Sequence, residues 1–228
     1  MLRHAYLIMV YEYNLVIEYL VQLLDHENNG IYIHIDKKTS DMEKKKIMCL
    51  KNRIKHSHIC IFSRYKVFWG TNSIAKVQLS MLEKSVREGY DYYHFLSGAD
   101  LPIKSNETIQ QFFEENNGKE FIHFGTLQYQ QDIQQRFNVY HFFTRQLGRK
   151  RDKQFWVNIE TYSLAVQRRL RIDRTKKLDY SFYGGSNWCS ITKAFACYVV
   201  EHFHKYEKSF HFSQISDESV WQTIVMAS

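Results

Sequence analysis

Proline is almost missing from this chain, with Pro102 alone among 228 residues, and only nine glycines accompany it. That scarcity excludes a disordered or low-complexity chain, which cannot bury enough apolar surface to fold. Cysteine is sparse as well. Cys49, Cys60, Cys189 and Cys197 show neither the CxxC spacing of a zinc or redox site nor the density of a disulfide-stapled secreted domain, so they are expected to be reduced and mostly buried. No apolar run is long enough to span a bilayer: the N-terminal run Ala5 to Val10 is too short and lacks a signal-peptide cleavage site. The expectation is a cytosolic protein able to rest on the inner face of a membrane. Several chemical signatures are absent too, namely the GxGxxG fingerprint, the P-loop, HExxH and the GxSxG elbow.

What is present is apolar and aromatic. Hydrophobic residues make up 44% of the chain and aromatics 16%, with sixteen Tyr and sixteen Phe, enough for one sizeable core. No composition shift divides the sequence, which reads as a single domain over 1–228, its earlier half running to about 125 and its later half from about 126 to 228. The formal charge of +7 predicts a face that attracts anions, whether nucleic acid, acidic lipid or a phosphorylated small molecule. The basic excess gathers in Lys44 to Lys46 with Lys51, and in a later run from Arg145 to Lys177. Such runs are either solvated faces or binding patches.

Along the chain, Ala5–Val10 reads as a fully buried strand, and Leu15, Tyr19, Leu20, Leu23 and Leu24 then line one helix face. Gly30 separates that helix from the strand Ile31–Ile35, and a Lys-rich helix follows over about 40–52. A strand at 59–62, a loop with Trp69 and Gly70, a helix over about 72–88 and a strand at 92–96 complete four alternations. This pattern predicts an α/β fold, Rossmann-like, with a mostly parallel sheet whose ligands bind at the carboxyl ends of the strands. Beyond it the spacing predicts a helix from Asn106, a strand at 121–124, a helix over 158–172, a strand within 183–192 entered through a Gly turn, and a helix over 193–205. Ser216 is placed to cap a last helix through Trp221.

An α/β sheet with polar strand ends and an acidic pair near the C-terminus suits a nucleotide-linked substrate. Glycosyl transfer needs a nucleotide pocket, neutralisation of the departing diphosphate and, for inversion, a carboxylate to take the acceptor proton. Asp36, at the end of a buried strand, is either a hydrogen-bond acceptor for a ribose or uracil edge or a solvated strand-end carboxylate. Asp217 and Glu218 fall in the expected first turn of a helix, where the dipole favours a carboxylate whatever its role. Trp69 and Trp188 are stacking platforms or core aromatics, and His34 and His94 read as hydrogen-bonded core histidines. No DxD motif occurs, and the two DxE matches, Asp25/Glu27 and Asp41/Glu43, do not follow buried strands. Neutralisation by Lys and Arg, with no metal and no cofactor, is the expectation.

Six segments in order now resemble one family: Ala-Tyr-Leu-Ile-Met-Val (5–10), Ile-His-Ile-Asp-Lys-Lys (33–38), Val-Phe-Trp-Gly (67–70), Leu-Ser-Gly-Ala-Asp-Leu-Pro-Ile-Lys-Ser (96–105), Gly-Ser-Asn-Trp (185–188) and Ser-Asp-Glu (216–218). They are similar to the Core-2/I-branching β-1,6-N-acetylglucosaminyltransferases, glycosyltransferase family 14, in a bacterial-type form. The resemblance implies a GT-A type fold and metal-independent inverting transfer of N-acetylglucosamine or a similar sugar from a UDP-sugar donor to a glycan acceptor, in surface polysaccharide synthesis. By the same resemblance Glu218 is the catalytic base. Met9, Val10, Asp36, Trp69, Gly70 and Asp100 lie on the donor side, Asp100 chiefly organising its loop, and Arg136 and Trp188 lie on the acceptor side. Two departures stand out. The family's diphosphate-gripping Arg and Lys lie beyond its catalytic turn, whereas this chain stops ten residues after Glu218, so either it is truncated or other basic residues serve. Ile133 also replaces an expected acceptor-side lysine, so a mucin-type acceptor does not carry over.

Peripheral contact with acidic membrane is compatible with the basic charge, and no nucleic-acid partner is expected. The competing reading is a non-catalytic basic and aromatic module for RNA or acidic glycan, carried by Phe142, Phe143, Phe155 and Trp156 among the basic residues, or an inactive truncated family member.

Overall fold

The run His4–Val10 forms β1 because it is apolar on both faces, and six of its seven residues are buried. In a computed structural model describing residues 1–228, β1 lies at the centre of a five-stranded sheet of order β3-β2-β1-β4-β5. The other strands are β2 (Asn29–Ile35), β3 (His58–Phe62), β4 (Tyr92–Ser97) and β5 (Ser190–Thr192). β1 pairs in parallel with β2 and β4, β2 in parallel with β3, and only β5 is antiparallel, on β4. The mostly parallel α/β sheet is thus as the sequence predicts. Between the strands run the helices α1 (Leu15–Leu23), α2 (Asp41–Met48) and α3 (Ser73–Ser85), followed later by α4 (Asn106–Glu115). Their starts are written in the sequence: the side chains of Asn14, Ser40 and Ser105 accept backbone N–H groups of Ile17, Glu43 and Thr108.

The backbone groups into two compact units. The first comprises Met1–Val67, Val77–Phe121 and Trp188–Val200, and holds the whole sheet. On one of its faces, Tyr6, Ile8 and Val10 join Ile17, Leu20 and Val21 of α1 with Ile31, Ile33 and Ile35 of β2 in one apolar cluster. Leu7, Tyr93 and Phe95 point the opposite way and are buried as well, so both sheet faces are covered. The second unit comprises Phe68–Lys76, Ile122–Asn187 and Glu201–Ser228. It contains α5 (Leu127–Phe137), α6 (Thr144–Leu147), α7 (Gln154–Arg169) and α9 (Val220–Ala227), with the later part of α8 (Lys193–Phe210). Its core is aromatic. Phe137 stacks on Phe182 at 3.9 Å between ring centroids, Phe210 meets both edge-on, and Trp221 is wholly enclosed.

Three local expectations differ from the structure. The predicted strand at 121–124 is reduced to a single bridge, Phe121 to Ser190, because only that residue finds a partner. The strand within 183–192 forms only at its last three residues, β5. All four cysteines are free, but only Cys189 is buried, and Cys49 is exposed. No helix is long and apolar enough to cross a membrane.

The buried histidines of the first unit are neutral by construction. His4 Nε2 donates to Gln110 Oε1 (3.2 Å), His94 Nε2 to His4 Nδ1 (2.8 Å), and the Ser190 hydroxyl to His94 Nδ1 (2.8 Å). His34 Nε2 accepts the backbone N–H groups of Arg64 and Tyr65, each at 3.2 Å. An extra proton on any of these rings has no acceptor, and burial lowers His4 and His34 from 6.5 to about 4 and holds His94 well below 6.5. Below pH 6.5 the unfolded chain therefore takes up protons that the folded chain refuses, and stability is lost as pH falls toward 4, by about 3 kcal/mol for each of His4 and His34. An NMR titration should find both imidazoles neutral down to the acid transition; midpoints near 6.5 would contradict the packing.

Candidate active site

The first unit gathers several predicted donor-side residues at the carboxyl ends of adjacent strands, where open α/β sheets bind ligands. Met9 and Val10 end β1, Asp36 follows β2, and Asp100 lies in the turn after β4. The ends are laced together: Asp36 N–H donates to Val10 O at 2.8 Å and Gly98 N–H to Met9 O at 2.9 Å. A side chain at position 98 would meet Val10 Cγ1 at 2.6 Å, so the approach of the turn to β1 requires glycine. Asp36 is buried and its carboxylate is largely spent locally. Oδ1 accepts the backbone N–H groups of Lys38 (2.9 Å) and Val67 (3.2 Å), and Oδ2 faces the Lys38 ammonium at 3.4 Å. Asp100 behaves as expected of a loop organiser, its Oδ2 accepting both the backbone N–H (2.7 Å) and the hydroxyl (3.0 Å) of Ser97. Trp188 also belongs to this unit and is partly exposed.

Glu218 lies in the second unit, and its surroundings start from helix α5. Thr126 caps α5 by accepting the N–H of Tyr129, and the spacing then brings Tyr129, Ile133 and Arg136 onto one face. Tyr129 OH donates to Glu218 Oε2, and Arg136 Nη1 lies 3.9 Å from the same oxygen. Burial and this contact push the Tyr129 phenol up to about 12, so it stays a donor. Ile133, between them, is fully buried against Gly184. A lysine there would have no room for its charge.

The turn that carries Glu218 is held from behind by two glycines. Gly185 N–H donates to Glu218 O at 2.8 Å, Gln130 clasps Gly184 through both its amide atoms at 2.8 Å each, and Gly125 N–H donates to Gly184 O at 2.9 Å. A Cβ on Gly185 would stand 1.8 Å from His123 O, and one on Gly184 2.5 Å from Ile133. Ser219 Oγ donates to Tyr183 O at 2.6 Å, and Ile215 N–H to Gly70 O at 2.7 Å, which ties the Trp69–Gly70 loop to the approach of the same turn. Trp69 is 39% exposed, and Gly70 adopts φ +72°. Ser216–Glu218 forms a 3₁₀ turn and α9 starts only at Val220. The expected Ser216 cap is therefore not made; the Ser216 hydroxyl is buried without a partner.

The two carboxylates of the pair have different environments. Asp217 is 7% exposed, with one oxygen 3.3 Å from Asn187 Nδ2 and the other unpartnered, and burial raises its carboxyl from 3.8 to about 7. Glu218 is 38% exposed, with Oε2 held and Oε1 without a protein partner. Of the two, only Glu218 can meet a substrate hydroxyl. Tyr129 was not singled out in the sequence, where its one available signal was the helical spacing with Arg136; the glycine pair was read only as a turn entering a strand.

With this geometry in view, the comparisons are decisive at the level of family. The family described as Core-2/I-Branching enzyme matches residues 4–228. The chain belongs to the Core-2/I-Branching enzyme family, a family of glycosyltransferases. Relatives include xylosyltransferase oxt of Drosophila melanogaster, 23% identical over 182 residues (79% of this chain and 18% of that protein), and xylosyltransferase 2 of Canis lupus familiaris, 24% identical over 106 residues (45% and 12%). The chain thus spans less than a fifth of the length of these relatives. Among solved structures, the S. aureus TarS 1–349 complex with UDP aligns over 50% of this chain and 32% of that one at 12% identity, with a TM-score of 0.38. A likeness of that size carries no weight here.

The buried Asp217 supplies a prediction. Its carboxyl keeps a proton in the folded state that the unfolded chain releases near 3.8, so it stabilises the fold at low pH and that contribution is lost as pH rises toward 7. The Asp217→Asn variant should gain about 2 to 3 kcal/mol relative to the parent between pH 5 and pH 8. Urea denaturation of both proteins at the two pH values checks this, and a pH-independent difference would contradict the burial.

Proposed function

We propose that the protein is an inverting glycosyltransferase that moves a sugar, N-acetylglucosamine or a similar one, from a UDP-sugar to a glycan hydroxyl during surface polysaccharide synthesis, without a metal. The observation that carries this reading is Glu218: the acidic position that the family resemblance names as base is partly exposed, held on one oxygen by the Tyr129 hydroxyl with the Arg136 guanidinium 3.9 Å away, and open on the other.

In the proposed reaction the acceptor hydroxyl attacks the anomeric carbon in line as the bond to the diphosphate oxygen breaks. UDP departs with the bonding electrons, the configuration inverts, and the hydroxyl proton passes to Glu218 Oε1. A positioned base of this kind contributes on the order of 10²–10⁴ in rate. Tyr129 and Arg136 fix the direction of the carboxylate, and direction is what a single-displacement base must have. Strand-end residues Met9, Val10, Asp36 and Asp100, with Trp69 and Gly70, are assigned to the donor and Arg136 and Trp188 to the acceptor. Because the hydrogen bonds of Asp36 are mostly met by its own loop, a contact with ribose would add to an oriented carboxylate.

Metal independence is supported by how the acidic DxE pairs are used. Asp25 accepts the backbone N–H groups of Lys55, His56 and Ser57, and Glu43 accepts that of Tyr13 and pairs with Lys46 at 2.9 Å. The RNA-module reading is weakened by the basic run itself: Arg174 is half-buried and donates to the carbonyls of Ser209 and His211, each at 2.7 Å.

Glu218→Gln should abolish transfer, leaving less than about one part in 10² of the turnover, while UDP affinity stays nearly unchanged. A variant that keeps most of its turnover sinks the assignment.

A further inference from the structure

The second unit contains a cavity of about 370 Å³ that the reaction outlined above does not use. Its wall is built by two features of the chain. Glu160 and Gln167, both buried, lie two turns apart on α7 and reach the same segment: Gln167 accepts the N–H of Tyr140 at 2.7 Å and donates to its carbonyl at 2.8 Å, while Glu160 Oε1 takes the Nδ1–H of His141 at 2.8 Å. His141 N–H then donates to Phe212 O at 2.6 Å. A buried histidine is thereby fixed in place and tautomer by a buried carboxylate, yet it lines the cavity with nothing on its second nitrogen. His141 is 8% exposed, and its Nε2 has no hydrogen-bond partner. Gln146, also on the lining, has a buried Oε1 in the same condition.

Buried polar atoms without partners are costly, and three at one cavity, with His211 Nε2 the third, indicate a ligand that completes them. Whether His141 Nε2 presents a lone pair to a hydroxyl or an N–H to an anionic oxygen, a polar ligand is what satisfies it. The rest of the lining narrows the class. Phe142 and Phe212 are exposed rings suited to the C–H face of a pyranose, and Thr144, Ser73 and Asn72 add hydroxyl and amide groups. No aspartate or glutamate lines the cavity. Of the two cations that do, Lys76 is neutralised by Glu207 at 3.2 Å, whereas Arg145 meets only the face of Phe68, with its guanidinium carbon 4.1 Å from the ring centroid. Its donors remain available to an anion.

We propose that this cavity binds a sugar residue bearing a carboxylate or phosphate, with the anion on Arg145, hydroxyls on His141 and Gln146, and the ring face on Phe142 or Phe212. Its description as an acceptor subsite, which makes the acceptor an acidic glycan, rests on the transferase reading. The cavity is continuous in sequence with the base: Ser213 lines it, and the chain then passes through Ile215, at φ 56°, into the turn bearing Glu218.

Methyl glucuronoside, glucose 6-phosphate and methyl glucoside, titrated separately into the full chain and followed by NMR at the His141 ring, test the assignment. At least one of the two anionic sugars should bind about 10-fold more tightly than methyl glucoside and shift the His141 signals, and which one does so names the anion. Arg145→Met, at an exposed position, should erase that preference, and Phe142→Ala should weaken all three sugars several-fold. Absence of binding, equal affinities for charged and neutral sugars, indifference to both substitutions, or displacement of the sugar by UDP each overturns the proposal. A separate UDP titration keeps the two readings apart: UDP binding without sugar binding removes this site alone, and sugar binding without UDP binding removes the transferase reading alone.

Discussion

The closest constraint in the second unit is the passage of Gly184–Gly185 between helix α5 and the turn that carries Glu218. With His123 O only 1.8 Å from where a Cβ would stand, no residue but glycine can let Gly185 hold the carbonyl of Glu218 while Gln222 reaches past to the carbonyls of His123 and Ser186. That approach sets the distance from α5 to the turn, and through it the meeting of Tyr129 and Arg136 with one carboxylate oxygen. The orientation of the Glu218 carboxylate is thus a result of packing. An oriented carboxylate loses little entropy in reaching its reactive geometry.

The first unit solves a different problem. Its central strands are buried on both faces, where a polar side chain is costly unless a neighbour satisfies it, and the His4–His94–Ser190 chain and the His34 contacts do this with neutral rings. Strand ends escape that demand, and there the sheet places Asp36 and Asp100. Both carboxylates mainly fasten loops, which leaves backbone and loop side chains to shape the proposed donor site.

Much of this was legible in the sequence, and what was not has physical reasons. Strands β1, β2 and β4 announce themselves as apolar runs because burial on both faces leaves no alternation to misread. The predicted strand at 121–124 fails since Phe121 alone finds a partner strand, while His123 O and Gly125 N–H bond instead to Gln222 and Gly184. Helix α5 escaped notice because its glutamine-rich surface leaves only Ile133 and Phe137 buried, although Thr126 gave a usable cap signal. Glu218 was identified from a short motif, but its partner Tyr129 lies 89 residues away, and no local pattern reports a contact of that separation. The Ser216 cap was misplaced because the turn is bound through Ser219 and Gly185 rather than through its own hydroxyl.

The central claim is that this family member binds a uridine diphosphate donor without help from a metal. Calorimetric titration of UDP into the chain, once with EDTA and once with manganese, addresses it directly. The account predicts saturable binding of equal affinity under both conditions; binding that appears only with manganese, or in neither case, contradicts it.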